Sequence, residues 1–277
     1  MKNNLNKFLS VFFFSVILGL TVCSCSSKKA DNSETQIAIQ DDLAALEDEI
    51  EQEEPVVYTS WIHPDKQFEF RDQRVFYDIK KTTDYAEIGE DLDYKVFVND
   101  EEKMVIIQYE ETDCKQDWNY NYMCFPWPLK LDNKVIWTTY GYSKIYKSAQ
   151  GIPLQQFMDL IEQHPDYKIV IWGWSLGSAM AKITARHFVI RTGGSVMIDE
   201  LTTFGDVKCW WNPFYSVKKH VKRIREYANN NDLVTWFFLC YRRDVKCKVG
   251  PGFSLKRARK SEYNHTHYEE YDYTKWE

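Results

Sequence analysis

A serine two residues from a glycine on either side, Gly173-Trp174-Ser175-Leu176-Gly177, carries the clearest chemistry in this chain. Lys168 to Trp172 before it is a short apolar run with β-branched residues, as expected of a strand covered on both faces. After it, Leu176 to Ile190 changes to helical spacing and opens on the small residues Gly177, Ser178, Ala179 and Ala181. At a strand-to-helix reversal this sharp, a serine is held in a strained backbone conformation, and the flanking glycines let strand and helix approach. Its hydroxyl then projects above the sheet at the positive end of a helix, where it can act as a nucleophile.

A serine hydroxyl needs a base, and the base needs an acid that orients it. Ile224 to Ala228 reads as a further strand and runs into the polar cluster Asn229-Asn230-Asn231-Asp232, a loop in which such an acid belongs. Asp232 is the candidate acid, with Asp206 after the Leu201 to Gly205 strand as runner-up. In the chain order Ser, Asp or Glu, His of α/β hydrolases, only His265 and His267 of the six histidines follow Asp232. His187 on the helix after the serine and His220 in a basic run read as structural or solvated. These elements predict an α/β-hydrolase fold, a mostly parallel central sheet with helices on both faces.

The chain resembles the class 3 lipases, the fungal-type triacylglycerol lipase family, in a set of motifs in matching order from about Tyr94 to Tyr271. Met104 to Thr112 is similar to the strand ending in Phe-Arg-Gly-Thr, and Asp117-Trp118 to the Asp-Trp that follows. Gly141-Tyr142 and Tyr146 resemble the helix before the serine strand. Thr203-Phe204-Gly205, Asn231-Asp232-Leu233-Val234 and His265-Thr266-His267-Tyr268 resemble Thr-Phe-Gly, Asn-Asp-x-Val and the terminal His-x-x-Tyr.

The resemblance implies a Ser175, Asp232 and His265 triad, with Thr112 and the backbone N–H of Leu176 as oxyanion hole. His267 is the alternative base, but only His265 has a tyrosine three residues on. It further implies hydrolysis of lipid or other acyl esters, and a lid over Trp118 to Trp127. No metal or organic cofactor is implied. Three departures stand out: Glu110-Glu111 before Thr112, Trp174 where the family has histidine, and Asp206-Val207-Lys208-Cys209 where it has Pro-Arg-Val-Gly. Two carboxylates beside an oxyanion donor would oppose developing negative charge if they face inward, so the alternative function is a degenerate relative that binds acyl chains or a surface partner without turnover.

The first residues read as an address. Lys2 and Lys7 precede an apolar run from Leu9 to Leu20, short for the roughly 20 residues that span a bilayer and fitting for a secretory signal. Val22-Cys23-Ser24-Cys25 resembles a bacterial lipoprotein box, with Cys25 the lipidated residue and Cys23 second choice. Residues 1–24 are thus expected as signal peptide and 25–55 as lipid anchor and acidic tether. Residues 56–277 are expected as the hydrolase domain, held outside the cytoplasm in the cell envelope. Ten acids lie between Asp31 and Glu54, and from Val56 onward 31 acids balance 31 bases. A neutral exported domain argues against a nucleic-acid partner.

Two basic groups, one from Lys218 to Arg225 and one of Lys256, Arg257, Arg259 and Lys260, read as solvated faces, with phospholipid headgroups as the functional alternative. In an oxidising compartment the economical disulfides are Cys114 with Cys124 and Cys240 with Cys247, leaving Cys209 as a buried thiol. These spacings do not match zinc ligands.

Overall fold

Near-continuous apolar runs along short β-branched strands produce a sheet that must be covered on both faces, and the computed structural model shows how. It describes residues 68–89, 92–111, 123, 125–211, 216–236 and 245–276. The signal, the tether, Cys25, Thr112, Cys114, Cys124 and Cys240 lie outside the described residues. The compact unit runs from Gln67 to Glu277.

In chain order the elements are α1 (Arg71–Lys81), β1 (Ala86–Ile88), β2 (Leu92–Asn99), β3 (Met104–Tyr109), β4 (Pro126–Leu131) and β5 (Lys134–Thr139). There follow α2 (Tyr140–Ser148), α3 (Ile152–Gln163), β6 (Lys168–Trp174), α4 (Leu176–Arg191), β7 (Ile198–Phe204) and β8 (Val221–Asn229). The chain ends with β9 (Lys246–Val249), α5 (Leu255–Ala258) and α6 (Ser261–Thr266). Among the described residues, seven strands form one sheet in the order β1-β2-β3-β6-β7-β8-β9. From β3 to β9 all neighbours pair in parallel, while β1 and β2 are antiparallel to theirs. This is the α/β-hydrolase arrangement expected from the sequence.

Strand alternation divides the core in two. Ile107 of β3 and Ile171 of β6 face α2, α3 and α4, packing with Tyr142, Phe157 and Met180. Ile106, Val170 and Trp172 face the other way, onto Phe76 and Ile79 of α1 and onto Tyr268 and Tyr273 near the C-terminus. Helix α4 lies under the middle of the sheet and is buried nearly all round, which explains why its sequence shows small residues rather than an amphipathic stripe.

Around His265, residues 261–266 form the short helix α6. One expectation needs correction. Cys247 is a free, buried thiol, so the expected bridge to Cys240 is absent. The alternation of β9 explains this, because Cys247 and Val249 point into the core while Lys246 and Lys248 point out. Burial pushes the Cys247 thiol up to about 11. Cys209 is likewise a buried cysteine outside any disulfide. Of the segment expected as a lid, the part from Pro126 onward is a strand, paired with β5 in a separate hairpin. Phe125 and Trp127 are half exposed and pack on Tyr140, with ring centroids 5.0 Å away in each case.

Candidate active site

The serine sits where β6 ends and α4 begins, with φ 53° and ψ −117°. This backbone region is unfavourable for a residue with a side chain, by about 1–3 kcal/mol, and the surroundings must hold it. The Ser175 N–H donates to Phe204 O at 3.0 Å, and the Ser178 N–H donates to Ser175 O at 2.9 Å. The glycines are there for space. A Cβ on Gly173 would stand 2.2 Å from Gly177 O, and one on Gly177 would stand 2.2 Å from Glu110 O and 2.4 Å from Tyr109 O. So the first turn of α4 lies directly against the backbone at the end of β3, closer than any side chain permits.

The structure brings Ser175, His265 and Asp232 into one hydrogen-bonded line. His265 Nε2 is 2.7 Å from Ser175 Oγ, and His265 Nδ1 is 2.7 Å from Asp232 Oδ2. All three side chains are buried. Asp232 stands in the turn after β8, held by donors on both oxygens. The Val234 N–H reaches Oδ1 at 3.0 Å, and the Tyr268 hydroxyl reaches Oδ2 at 3.0 Å while accepting from the Asn229 N–H at 2.9 Å. A carboxylate fixed in this way can keep an imidazole in one tautomer, with Nδ1 as donor and Nε2 free to accept the serine proton.

The other candidates lie elsewhere. Asp206 is buried, but its Oδ1 accepts from Lys182 Nζ at 2.7 Å and from Thr203 Oγ1 at 2.9 Å, beneath α4. His267 stacks on Tyr263, centroids 4.0 Å apart, and its Nδ1 is 2.9 Å from Thr266 Oγ1. His187 meets Tyr146 and Asp132, with Nδ1 3.0 Å from the Tyr146 hydroxyl and Nε2 3.2 Å from Asp132 Oδ2. Burial keeps the His187 pKa below its ordinary value despite that carboxylate.

Leu176 is the first residue of α4, and its backbone N–H belongs to the helix's N-terminal donors, which have no acceptor within the helix. Residues following β3 leave the sheet beside the elbow, since Tyr109 pairs with Gly173. Glu110 and Glu111 are there, each half-buried. Tyr85, whose hydroxyl donates to Ile79 O at 3.1 Å, is held above its usual pKa mainly by burial, with a smaller contribution from both carboxylates.

Three functional features escape a reading of local sequence. Gly205, in the left-handed region at φ 51°, leaves room for the imidazole: a Cβ there would stand 2.6 Å from His265 Cε1. Trp174 Nε1–H donates to His265 O at 3.2 Å and packs edge-on against Phe76, so the residue before the serine also steadies the helix that carries the histidine. Tyr268 fastens the acid. The sequence signals for Gly205 and Tyr268 were present in the Thr-Phe-Gly and His-x-x-Tyr motifs, but neither discloses what the residue touches. No group of metal-ligating side chains occurs among the described residues.

Comparison with known proteins adds the following. Residues 107–242 match the family model described as Lipase (class 3). The structure is similar to that of a fungal lipase in complex with an inhibitor, with 22% identity, 53% of this chain and 56% of that chain covered, and a TM-score of 0.47. It is also similar to Rhizomucor miehei triacylglyceride lipase, with 21% identity, 55% and 58% covered, and a TM-score of 0.47. The chain therefore spans a little over half the length of these two solved chains. No curated protein matches. Over residues 107–242, about half of its length, the chain is similar to the class 3 lipases.

Proposed function

We propose that the chain hydrolyses carboxylic esters of lipids or other acyl compounds through an acyl-enzyme on Ser175. The observation that supports this most directly is the line Ser175 Oγ, His265, Asp232, with 2.7 Å at each step. His265 Nε2 takes the hydroxyl proton as Ser175 Oγ bonds to the ester carbonyl carbon. It gives that proton to the departing alkoxide when the tetrahedral intermediate collapses. Water then repeats the sequence, releasing the carboxylic acid and restoring the serine. Asp232 stays ionised and balances the transient imidazolium. The Leu176 N–H, at the positive end of α4, faces developing negative charge on the carbonyl oxygen. By the family resemblance Thr112 supplies the second donor.

Labelling with a fluorophosphonate tests this reading. The purified full chain is expected to gain one adduct, located on Ser175 by peptide mass spectrometry, and Ser175→Ala protein is expected to gain none. A folded protein that takes no label would instead favour acyl binding without turnover.

The proposal extends to location: an exported protein held to a membrane by a lipid on Cys25. It rests on the apolar run from Leu9 to Leu20 and on Ser24 before Cys25. Cells fed a tagged fatty acid should label the wild type and Cys23→Ala but not Cys25→Ala. Loss of label in Cys23→Ala alone would move the anchor to Cys23.

A further inference from the structure

The two basic groups in the sequence have different fates. Those around β8 face the end of the sheet remote from Ser175 and are largely paired: Arg223 with Asp72 and Glu200, Lys222 with Asp199, and Arg225 with Trp276 O. The C-terminal group lies at the surface, with Arg257 Nη1 donating to Gly252 O at 2.9 Å. From Val245 to Ser261 the chain has six lysines and arginines and no acid. All six, namely Lys246, Lys248, Lys256, Arg257, Arg259 and Lys260, are exposed.

Among them stand three large apolar side chains that face solvent. Leu255 is 76% exposed, Phe253 50% and Trp236 47%. Phe253 and Trp236 stack on each other with centroids 5.4 Å apart, and Lys246 Nζ lies 5.9 Å from the centre of the indole ring. The stretch is also fixed to the catalytic end of the fold. Asn231 Nδ2 donates to Pro251 O at 3.0 Å, the Ser254 N–H donates to Asn231 Oδ1 at 2.8 Å, and the Leu233 N–H donates to Ser261 Oγ at 2.7 Å. The apolar group therefore stands next to the loop that carries Asp232.

We propose that Trp236, Phe253 and Leu255, with the bases of the 245–260 segment around them, form a docking surface for an anionic phospholipid bilayer. Tryptophan favours the boundary between headgroups and acyl chains, and each lysine or arginine near an anionic bilayer strengthens attachment about fivefold. The domain is neutral by count from Val56 onward, so the attraction is local and orients the molecule, turning the acid-loop rim toward the lipid. A second copy of the chain is a poor occupant, because a two-fold contact would set six like charges against six others.

The test follows backbone exchange rather than turnover, so it stands or falls separately from the catalytic reading. Hydrogen–deuterium exchange of the full chain is measured with phosphatidylcholine vesicles, with and without phosphatidylglycerol. Because the readout is local, any affinity of the N-terminal segment for lipid does not enter. Amides of residues 252–260 should be protected only when phosphatidylglycerol is present. Replacing Lys256 and Lys260 together by alanine should reduce that protection roughly 25-fold, two steps of about fivefold. Leu255→Ser, which leaves every charge in place, should also reduce it. Equal protection on both vesicle types, protection on neither, or equal protection by a soluble double-stranded DNA without lipid would overturn the proposal.

Discussion

Replacing His265 by alanine should lower the rate of ester hydrolysis by about a million-fold, the same loss as Ser175→Ala, because serine and base act as one unit. His267→Ala should keep most of the activity. The physical reason is the helix. Two positions apart on α6 the side chains diverge by about 200°. His265 thus turns into the core toward Ser175 and Asp232, while His267, at the end of the helix, stacks on Tyr263. Steady-state hydrolysis of a short-chain p-nitrophenyl ester by the three variants, with circular dichroism as a check on folding, measures this. Collapse in His267→Ala with normal turnover in folded His265→Ala would transfer the role. Full activity in both would remove histidine from the mechanism.

A second large effect is expected at Asp206, in stability. Lys182 lies two turns into α4 with its side chain 2% exposed, and its ammonium donates to Asp206 Oδ1 at 2.7 Å and to Val207 O at 2.5 Å. Burial works to lower its pKa, but the Asp206 carboxylate and other groups nearby outweigh that and hold it above the ordinary lysine value. A base whose folded pKa is raised contributes stability that is complete below its unfolded value and lost only as pH rises through the folded one, so the pair is intact throughout the neutral range.

Asp206→Ala leaves a buried ammonium without its main partner, at a cost of about 3–5 kcal/mol, and the melting temperature should fall by about 10 °C. In that variant the sign reverses. Desolvation then depresses the lysine, the unfolded chain binds more protons, and stability should rise with pH toward the unfolded lysine value. Combining Asp206→Leu with Lys182→Met should recover most of the loss, since a buried pair exchanged for apolar groups is often neutral. An Asp206→Ala protein that melts as the wild type does, at every pH, would show that the pair carries no such weight.

The serine elbow was legible in the chain because strand, turn and helix are contiguous there: the β-branched run, the two glycines and the small residues after Ser175 each act on a neighbour a few positions away. The parallel sheet was legible for the same reason, through its sequence of apolar strands and helical stretches, and β8 and α4 lie within a few residues of where their patterns place them. Helix α6 was not legible in the chain, because no periodicity separates a six-residue helix from a strand.

What the sequence determined by itself was the serine elbow, the class of fold and a short list of partners for the serine: two aspartates in turns after strands and two histidines in the tail. Tertiary structure decided among them. Asp206 and Asp232 have the same local setting. Lys182, reaching across from α4, neutralises the first, while Tyr268 and the backbone around Val234 aim the second at His265. The contacts of Gly205, Trp174 and Tyr268 likewise depend on groups tens of residues away. A sequence pattern records periodicity and local backbone preference, whereas which buried charge finds a partner, and which ring fills a given space, is settled only when distant elements pack.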